Sequence, residues 1–123
     1  MRNGLSKSTI GTKNKFNNRN SMIKVSFEEL QEKLKVENGS IVLVKFGAPW
    51  CAPCKVYEPV LHSYAQAHPE YLVLEIDIDE DIDAAKKYGV HGLPTTIVFV
   101  NGSEKKRKVG SLSAKALDEL LVV

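Results

Sequence analysis

Two cysteines, Cys51 and Cys54, stand three positions apart in the run Trp50-Cys51-Ala52-Pro53-Cys54-Lys55. The run follows a β-rich apolar stretch and opens what reads as a helix. A thiol in that place gains the free N–H groups and the positive end of the helix, which favour its thiolate. A second thiol one turn on shares the same helical face and lies close enough to close an intrachain disulfide. Partial exposure would let a disulfide of another protein approach. The loop such a bond closes is tiny, so it removes little entropy from the unfolded chain. The pair is therefore chemical rather than a structural staple, and it predicts thiol–disulfide exchange. Pro53 bears on direction. A histidine between the cysteines would add a donor or a positive charge and make the couple more oxidising, whereas Ala-Pro supplies neither and removes one N–H. That points to a reductant rather than an oxidase or isomerase.

The elements that must hold this pair can be read on both sides of it. Met22–Val25 is a short candidate strand. Ser26 and Glu29 form a capping box, after which Phe27, Leu30 and Leu34 recur at helical spacing, and Gly39 ends the unit. Ile41–Phe46 is a mostly apolar run, as expected of a strand covered on both faces. Cys51 to about His68 reads as a helix that Pro59 should kink. Tyr71–Ile76 is a second buried strand, and Ile82–Tyr88 a short helix capped by Gly89. Thr95–Val100 and about Lys105–Val109 flank Asn101-Gly102, a hairpin turn signal. Leu112–Leu121 closes the chain as an amphipathic helix with Ser113 at its N-cap. The order β-α-β-α-β-α-β-β-α implies an α/β protein with a central mixed five-stranded sheet and four helices covering both faces. The final hairpin is expected to add antiparallel edge strands.

Composition narrows the function classes. The chain has 123 residues, with 17 Lys+Arg against 15 Asp+Glu. Five of those basic groups and no acid fall in residues 1–21, so residues 22–123 are net acidic, and a basic nucleic-acid-binding core is excluded. No apolar run approaches the roughly 18–20 residues that span a bilayer. Residues 1–21 are rich in Asn with isolated apolar residues, and are expected to form a disordered tail preceding a domain over 22–123. The alternatives are an organellar presequence, since the segment is basic and acid-free, or a partner-binding arm. The N-terminus lacks the apolar h-region of a secretory signal.

The chain closely resembles the thioredoxin family. The resemblance covers about Met22 to Leu121 and does not rest on the cysteines alone. Phe46 and Ala48 precede the motif and Pro59 follows it. Farther on stand Asp77-Ile78-Asp79, Tyr88-Gly89-Val90, Gly92-Leu93-Pro94-Thr95, Asn101-Gly102 and Val109-Gly110-Ser111-Leu112-Ser113, in the family's order and spacing. The resemblance implies a thioredoxin fold and a reductase of protein disulfides. It implies that Cys51 is the nucleophile, that Cys54 is the resolving thiol, and that Pro94 is a cis-proline facing the site. Leu93 would pair its backbone with an incoming peptide. Trp50, Ala52, Pro53, Gly92, Leu93, Gly110 and Ser111 would form a shallow groove for disulfide-containing protein substrates. No cofactor would be bound. A thioredoxin reductase would regenerate the dithiol, with NADPH entering only through that partner. The protein would be a monomer that binds neither nucleic acid nor membrane. It would work in the cytoplasm, or in an organelle if residues 1–21 are a presequence.

Three positions depart from the family. Where it has a buried aspartate and, two residues on, a tryptophan, this chain has Lys45 and Gly47; where it has a lysine on the neighbouring strand, this chain has Glu75. The pair reads as charge-swapped. One buried charge alone is costly, so Lys45 and Glu75 are expected to form a partly buried ion pair beneath Cys54, with Glu75 as a candidate proton relay. The alternative is that Lys45 extends to solvent. A lysine near the dithiol keeps a more oxidising exchange or isomerase protein in view as a second reading, and a thioredoxin-fold binding module is a third.

Other clusters have plainer readings. His62, His68 and His91 with one cysteine pair do not make up a zinc site, and no metal is expected. The acids from Glu75 to Asp83 read as a solvated strand–helix junction with N-cap carboxylates. Lys105-Lys106-Arg107-Lys108 reads as a charged edge strand that deters aggregation.

Overall fold

The structure, a computed structural model, describes residues 21–36 and 39–123. The tail expected over residues 1–21 thus lies outside the described residues, Ser21 apart. The strands are β1 (Ile23–Lys24), β2 (Ile41–Gly47), β3 (Leu72–Asp77), β4 (Thr95–Val100) and β5 (Ser103–Val109). The helices are α1 (Phe27–Val36), α2 (Ala52–Ala67), α3 (Ile82–Tyr88) and α4 (Ala114–Leu120). They alternate in the expected order.

Local signals set the element boundaries. At the start of α1 the Ser26 N–H donates to Glu29 Oε1 at 2.8 Å while the Glu29 N–H donates to Ser26 Oγ at 3.1 Å, a reciprocal capping box. Gly89 closes α3 in the left-handed region at φ 63°. Asn101 and Gly102 turn the β4–β5 hairpin with φ of 53° and 81°, the double positive φ that an Asn-Gly pair accepts. Helix α2 runs from Ala52 to Ala67 through Pro59. The acids after β3 do not cap α3 as expected: Asp81 is its N-cap residue but makes no side-chain cap bond.

The sheet order is β1-β3-β2-β4-β5. Strands β1, β3 and β2 pair in parallel, whereas β4 pairs antiparallel with both β2 and β5. Only β5 of the final hairpin is therefore an edge. Strand β4 is interior, which the sequence reading did not foresee, and its buried Thr95–Phe99 stretch fits that place.

Alternation along the strands divides the core. Val42, Val44 and Phe46 face the layer of α1 and α3 with Leu30, Leu74, Ile76, Ile97 and Phe99. Leu43, Val73 and Val98 face α2 and α4, against Tyr57, Leu61, Tyr64 and Leu117. Each large apolar side chain buried this way contributes about 1.5–3 kcal/mol. By the same period of two, Lys45 and Glu75, register partners on β2 and β3, fall on the α2 side. Strand β2 then delivers the chain to the cysteines at the N-terminus of α2.

Candidate functional site

Cys51 is the N-cap residue of α2, with extended backbone at φ −91° and ψ 106°. The Cys54 N–H, one of the helix's unpaired first-turn donors, points to Cys51 Sγ at 3.2 Å. A sulfur held there faces both a donor and the positive helix end, which stabilise negative charge on it. The two cysteines form a disulfide with their Cα atoms 5.3 Å apart. Ser111 Oγ donates to Pro53 O at 2.9 Å, tying the loop after β5 to the first turn of α2.

Both cysteines are more enclosed than the sequence suggested: Cys51 is 6% exposed and Cys54 2%. Ala48, Ile78 and Leu93 pack around them. The Leu93–Pro94 peptide is cis, and Pro94 O accepts the Gly110 N–H at 2.7 Å. Cys51 opens onto a groove lined by Trp50, Ala52, Pro53 and Leu93 as expected, and also by Ile78, Val90 and His91. Ile78 and Val90 were missed as groove residues because they reach it from segments distant in sequence from the cysteines. Gly92, Pro94, Gly110 and Ser111 do not line this groove, although Ser111 is exposed beside it and bonded to Pro53. A Cβ on Gly92 would come within 2.9 Å of Val109 Cγ1, so its smallness serves this internal contact, and Gly110 sits at φ 104°. Trp50 is 67% exposed, and its indole N–H donates to the Asp79 carboxylate at 3.0 and 3.1 Å.

The two cysteines line different spaces. Cys54 does not line the groove; it lines a separate cavity of about 250 Å³ between β1, β3, β2 and the start of α2. Lys45 and Glu75 meet there. Lys45 Nζ lies 2.9 Å from Glu75 Oε2 and 3.4 Å from Cys54 O. The Lys45 side chain is 3% exposed, so it does not extend to solvent; Glu75, at 19%, sits nearer the mouth. A row of polar side chains thus crosses the α2 face of the sheet beneath the disulfide: Lys24, Glu75, Lys45 and Thr96, register neighbours on four strands. Thr96 Oγ1 shares a 2.8 Å hydrogen bond with the Tyr57 hydroxyl, one turn along α2 from Cys54, and burial pushes that phenol up to about 12. Gly47 belongs to the same face. A Cβ there would lie 3.2 Å from Cys54 Sγ and 3.1 Å from Lys45 Cε.

The histidines stay apart. His91 is exposed in the groove, His62 is exposed on α2, and His68 Nδ1 lies 3.1 Å from Glu70 Oε2. Among the described residues no group of three or more His, Cys, Asp or Glu is placed to hold a metal ion. Among them, too, no helix is long and apolar enough to cross a membrane.

The family model for thioredoxin matches residues 21–122. The chain belongs to the thioredoxin family. It is 42% identical over 97 residues to the thioredoxin of Pseudomonas aeruginosa, covering 78% of this chain and 86% of that one. To the thioredoxin of Bacillus subtilis it is 42% identical over 82 residues, 66% of this chain and 79% of that one. Among solved structures, a mutant thioredoxin from Halobacterium salinarum superposes with a TM-score of 0.77 at 33% identity, over 85% of this chain and 90% of that one. With the Cys51–Cys54 disulfide in place on this fold, the chain is a thiol–disulfide oxidoreductase acting on proteins.

Proposed function

We propose that this thioredoxin works as a reductant of protein disulfides, with Cys51 as nucleophile and Cys54 as resolving thiol. The observation that carries the assignment is the Cys54 N–H directed at Cys51 Sγ at the head of α2, which supports a thiolate at Cys51 and not at Cys54. The Cys51 thiolate attacks one sulfur of a substrate disulfide, a mixed disulfide forms, and the other substrate sulfur leaves as a thiolate. Cys54, deprotonated, then attacks Cys51 Sγ. The mixed disulfide breaks, the second substrate sulfur leaves reduced, and Cys51–Cys54 is the oxidised product. Glu75 takes the Cys54 proton through the cavity both groups line, and Lys45 holds the carboxylate in place.

An extended substrate strand lies along the groove against Leu93 and Pro94. Trp50, Ala52 and Pro53 form one wall, with Gly92, Gly110 and Ser111 supporting the other. Two electrons must then return to the disulfide from a dithiol partner. A thioredoxin reductase drawing on NADPH fits that need, and no cofactor resides on this chain. The working unit is a monomer over residues 22–123, with residues 1–21 as an appendage, acting in the cytoplasm, or in an organelle if the appendage is a presequence.

Titration of the dithiol against glutathione, followed by the fluorescence of Trp50, tests the direction. A potential near the general thioredoxin value of about −270 mV supports a reductant. A value of about −180 to −120 mV supports the oxidising reading, with the Lys45 ammonium beneath Cys54 as its cause. Absence of a reversible couple would leave a binding module. The relay has its own test: if Glu75→Gln leaves the rate–pH profile of disulfide reduction unchanged, Glu75 does not carry the proton.

A further inference from the structure

Of the basic residues Lys105, Lys106, Arg107 and Lys108 on β5, only Arg107 is partly covered. Its register partner on β4 is Ile97, so it stands on the α1 and α3 side of the sheet. The β4–β5 register slips between Val98 and Phe99: their partners are Lys106 and Glu104, and Lys105 has none. In a regular strand, residues three apart face opposite sides; the extra residue reverses that parity and brings Glu104 beside Arg107. The Glu104 carboxylate takes one edge of the guanidinium, with Nε donating to Oε2 at 2.6 Å and Nη2 to Oε1 at 2.8 Å. So aimed, Nη2 also donates to Tyr88 O at 2.6 Å and Nη1 to Gly89 O at 3.3 Å, at the C-terminal end of α3. Among the described residues no backbone N–H of the loop that follows bonds either carbonyl. The two contacts fix the planes of the Tyr88–Gly89 and Gly89–Val90 peptides. Gly89, without a Cβ, is the residue about which the chain would otherwise swing. The loop leaving it brings Val90, His91 and Leu93 to the groove in front of Cys51. The same strand holds that loop farther on: Val109 packs against Gly92, and the Gly110 N–H bonds Pro94 O.

We propose that Arg107, aimed by Glu104, is a positioning residue for protein substrates: it fixes one wall of the groove, and so sets how readily an extended peptide carrying a disulfide docks at Cys51, without touching substrate or sulfur. The proposal rests on the reductant reading above and adds residues outside the groove that govern its preference for protein over small disulfides. A substrate strand lying along Leu93 makes its contacts at once only if the loop is already in place. A loop that wanders must be ordered as the substrate binds, and that ordering weakens association. A small disulfide has no backbone to lie along the loop and needs only the cysteine. The exchange between sulfurs, set at the head of α2, is the same for both. An arginine suits this task because its planar fork meets a carboxylate on one edge and carbonyls on another together, whereas a lysine ammonium is a point charge that cannot span both. The Arg107 and Glu104 side chains are 33% and 34% exposed, so the clasp lies at the surface and its removal leaves both core layers intact.

The test uses the reduced full chain and its Arg107→Met, Arg107→Lys and Glu104→Gln variants, with melting temperatures measured alongside. Each is oxidised by insulin and, separately, by the small uncharged bis(2-hydroxyethyl) disulfide, and the rates are followed by stopped flow at Trp50. For Arg107→Met the expected result is an insulin rate lowered by about tenfold and a small-disulfide rate within about twofold of the unaltered chain. With insulin varied, the loss should appear as a higher half-saturating concentration, the limiting rate staying within about twofold. Glu104→Gln, which keeps the guanidinium but loosens its aim, should lose about threefold with insulin alone. Arg107→Lys should recover part of the Arg107→Met loss. Equal losses with both disulfides, or an unchanged insulin rate in an Arg107→Met protein whose melting temperature has fallen, would each overturn the proposal. If Arg107→Met does not fold, Glu104→Gln carries the same comparison, and an unchanged ratio of the two rates overturns it. An unaltered chain that reacts with neither disulfide would show that the reductant reading itself has failed; one that reacts with both, at a ratio the variants share, would show that only this proposal has.

Discussion

Removing Glu75 and removing Lys45 are expected to have unequal consequences, although the two form one ion pair. At 2.9 Å and an effective dielectric constant of about 20, the Coulomb attraction of the pair is about 6 kcal/mol before desolvation is subtracted. Breaking a buried pair by deleting one partner costs about 3–5 kcal/mol, because the survivor is left charged and unpaired. Here the survivors differ. With Glu75→Gln the ammonium of Lys45 stays where it is, 3% exposed, with an amide oxygen and the distant Cys54 O as its acceptors. With Lys45→Met the carboxylate of Glu75, 19% exposed at the cavity mouth, rehydrates. The expected losses are about 3 kcal/mol for Glu75→Gln and about 1 kcal/mol or less for Lys45→Met. The Lys45→Met, Glu75→Leu double variant should come near neutral. Urea unfolding of the oxidised protein followed at Trp50 measures all three. In a domain of this size the first loss lowers the melting temperature by about 12–20 °C. A loss below about 0.5 kcal/mol for Glu75→Gln, or equal losses for the two single variants, would show that Lys45 finds water in the cavity, and would refute the reasoning.

Three further outcomes follow from the geometry. Ser26→Ala should destabilise the protein by about 1 kcal/mol, measured by denaturant midpoint at constant slope, since it removes one half of the capping box while Glu29 keeps the other. In alkali, the folded-state phenol of Tyr57, raised by burial to about 12, keeps its proton after the unfolded-state phenol has lost it near 10; stability from this group is full below about pH 10 and falls as pH rises toward 12. Burial also raises Tyr64, Tyr71 and Tyr88, so absorbance at the tyrosinate band should appear later in the native protein than in urea, and Tyr57→Phe should flatten part of the stability loss. Cys54→Ser should leave capture of a disulfide substrate intact and abolish release, so that a covalent complex builds up on non-reducing gels.

The parts of the fold that were legible in the sequence are those fixed by neighbours along the chain. Ser26 and Glu29 bond to each other's backbone, Gly89 accepts the left-handed cap and Asn101-Gly102 the hairpin turn, whatever the rest of the protein does. The opposite charges at 45 and 75 were also legible, because a lone buried charge demands a partner and the resemblance placed the two side by side. Other features depend on distant segments. That β4 lies against β2 is set by which buried strand faces which, and no local residue states it. Asp81 looked like a cap by type, yet its side chain makes no cap bond. The tightness at Gly92 comes from Val109 across the loop. The cavity arises because Gly47, Lys45 and Cys54 converge from two elements, and sequence spacing says only that position 47 has no side chain.

The position of the site within the sheet also governs how it behaves when the molecule breathes. Strand β2 is bonded on both sides, by β3 and β4, and these three strands carry Lys45, Glu75 and Thr96. The periphery consists of a two-residue β1 and a β5 whose residues are mostly exposed. Opening fluctuations begin where backbone bonds are few and wet and reach the centre of a sheet last. Amide protons of residues 42–46 should therefore exchange with deuterium more slowly than those of residues 103–109. Fraying of either margin leaves the ion pair and the strand leading to Cys51 in register, so exchange chemistry at the dithiol should outlast the loss of the margins during gradual denaturation.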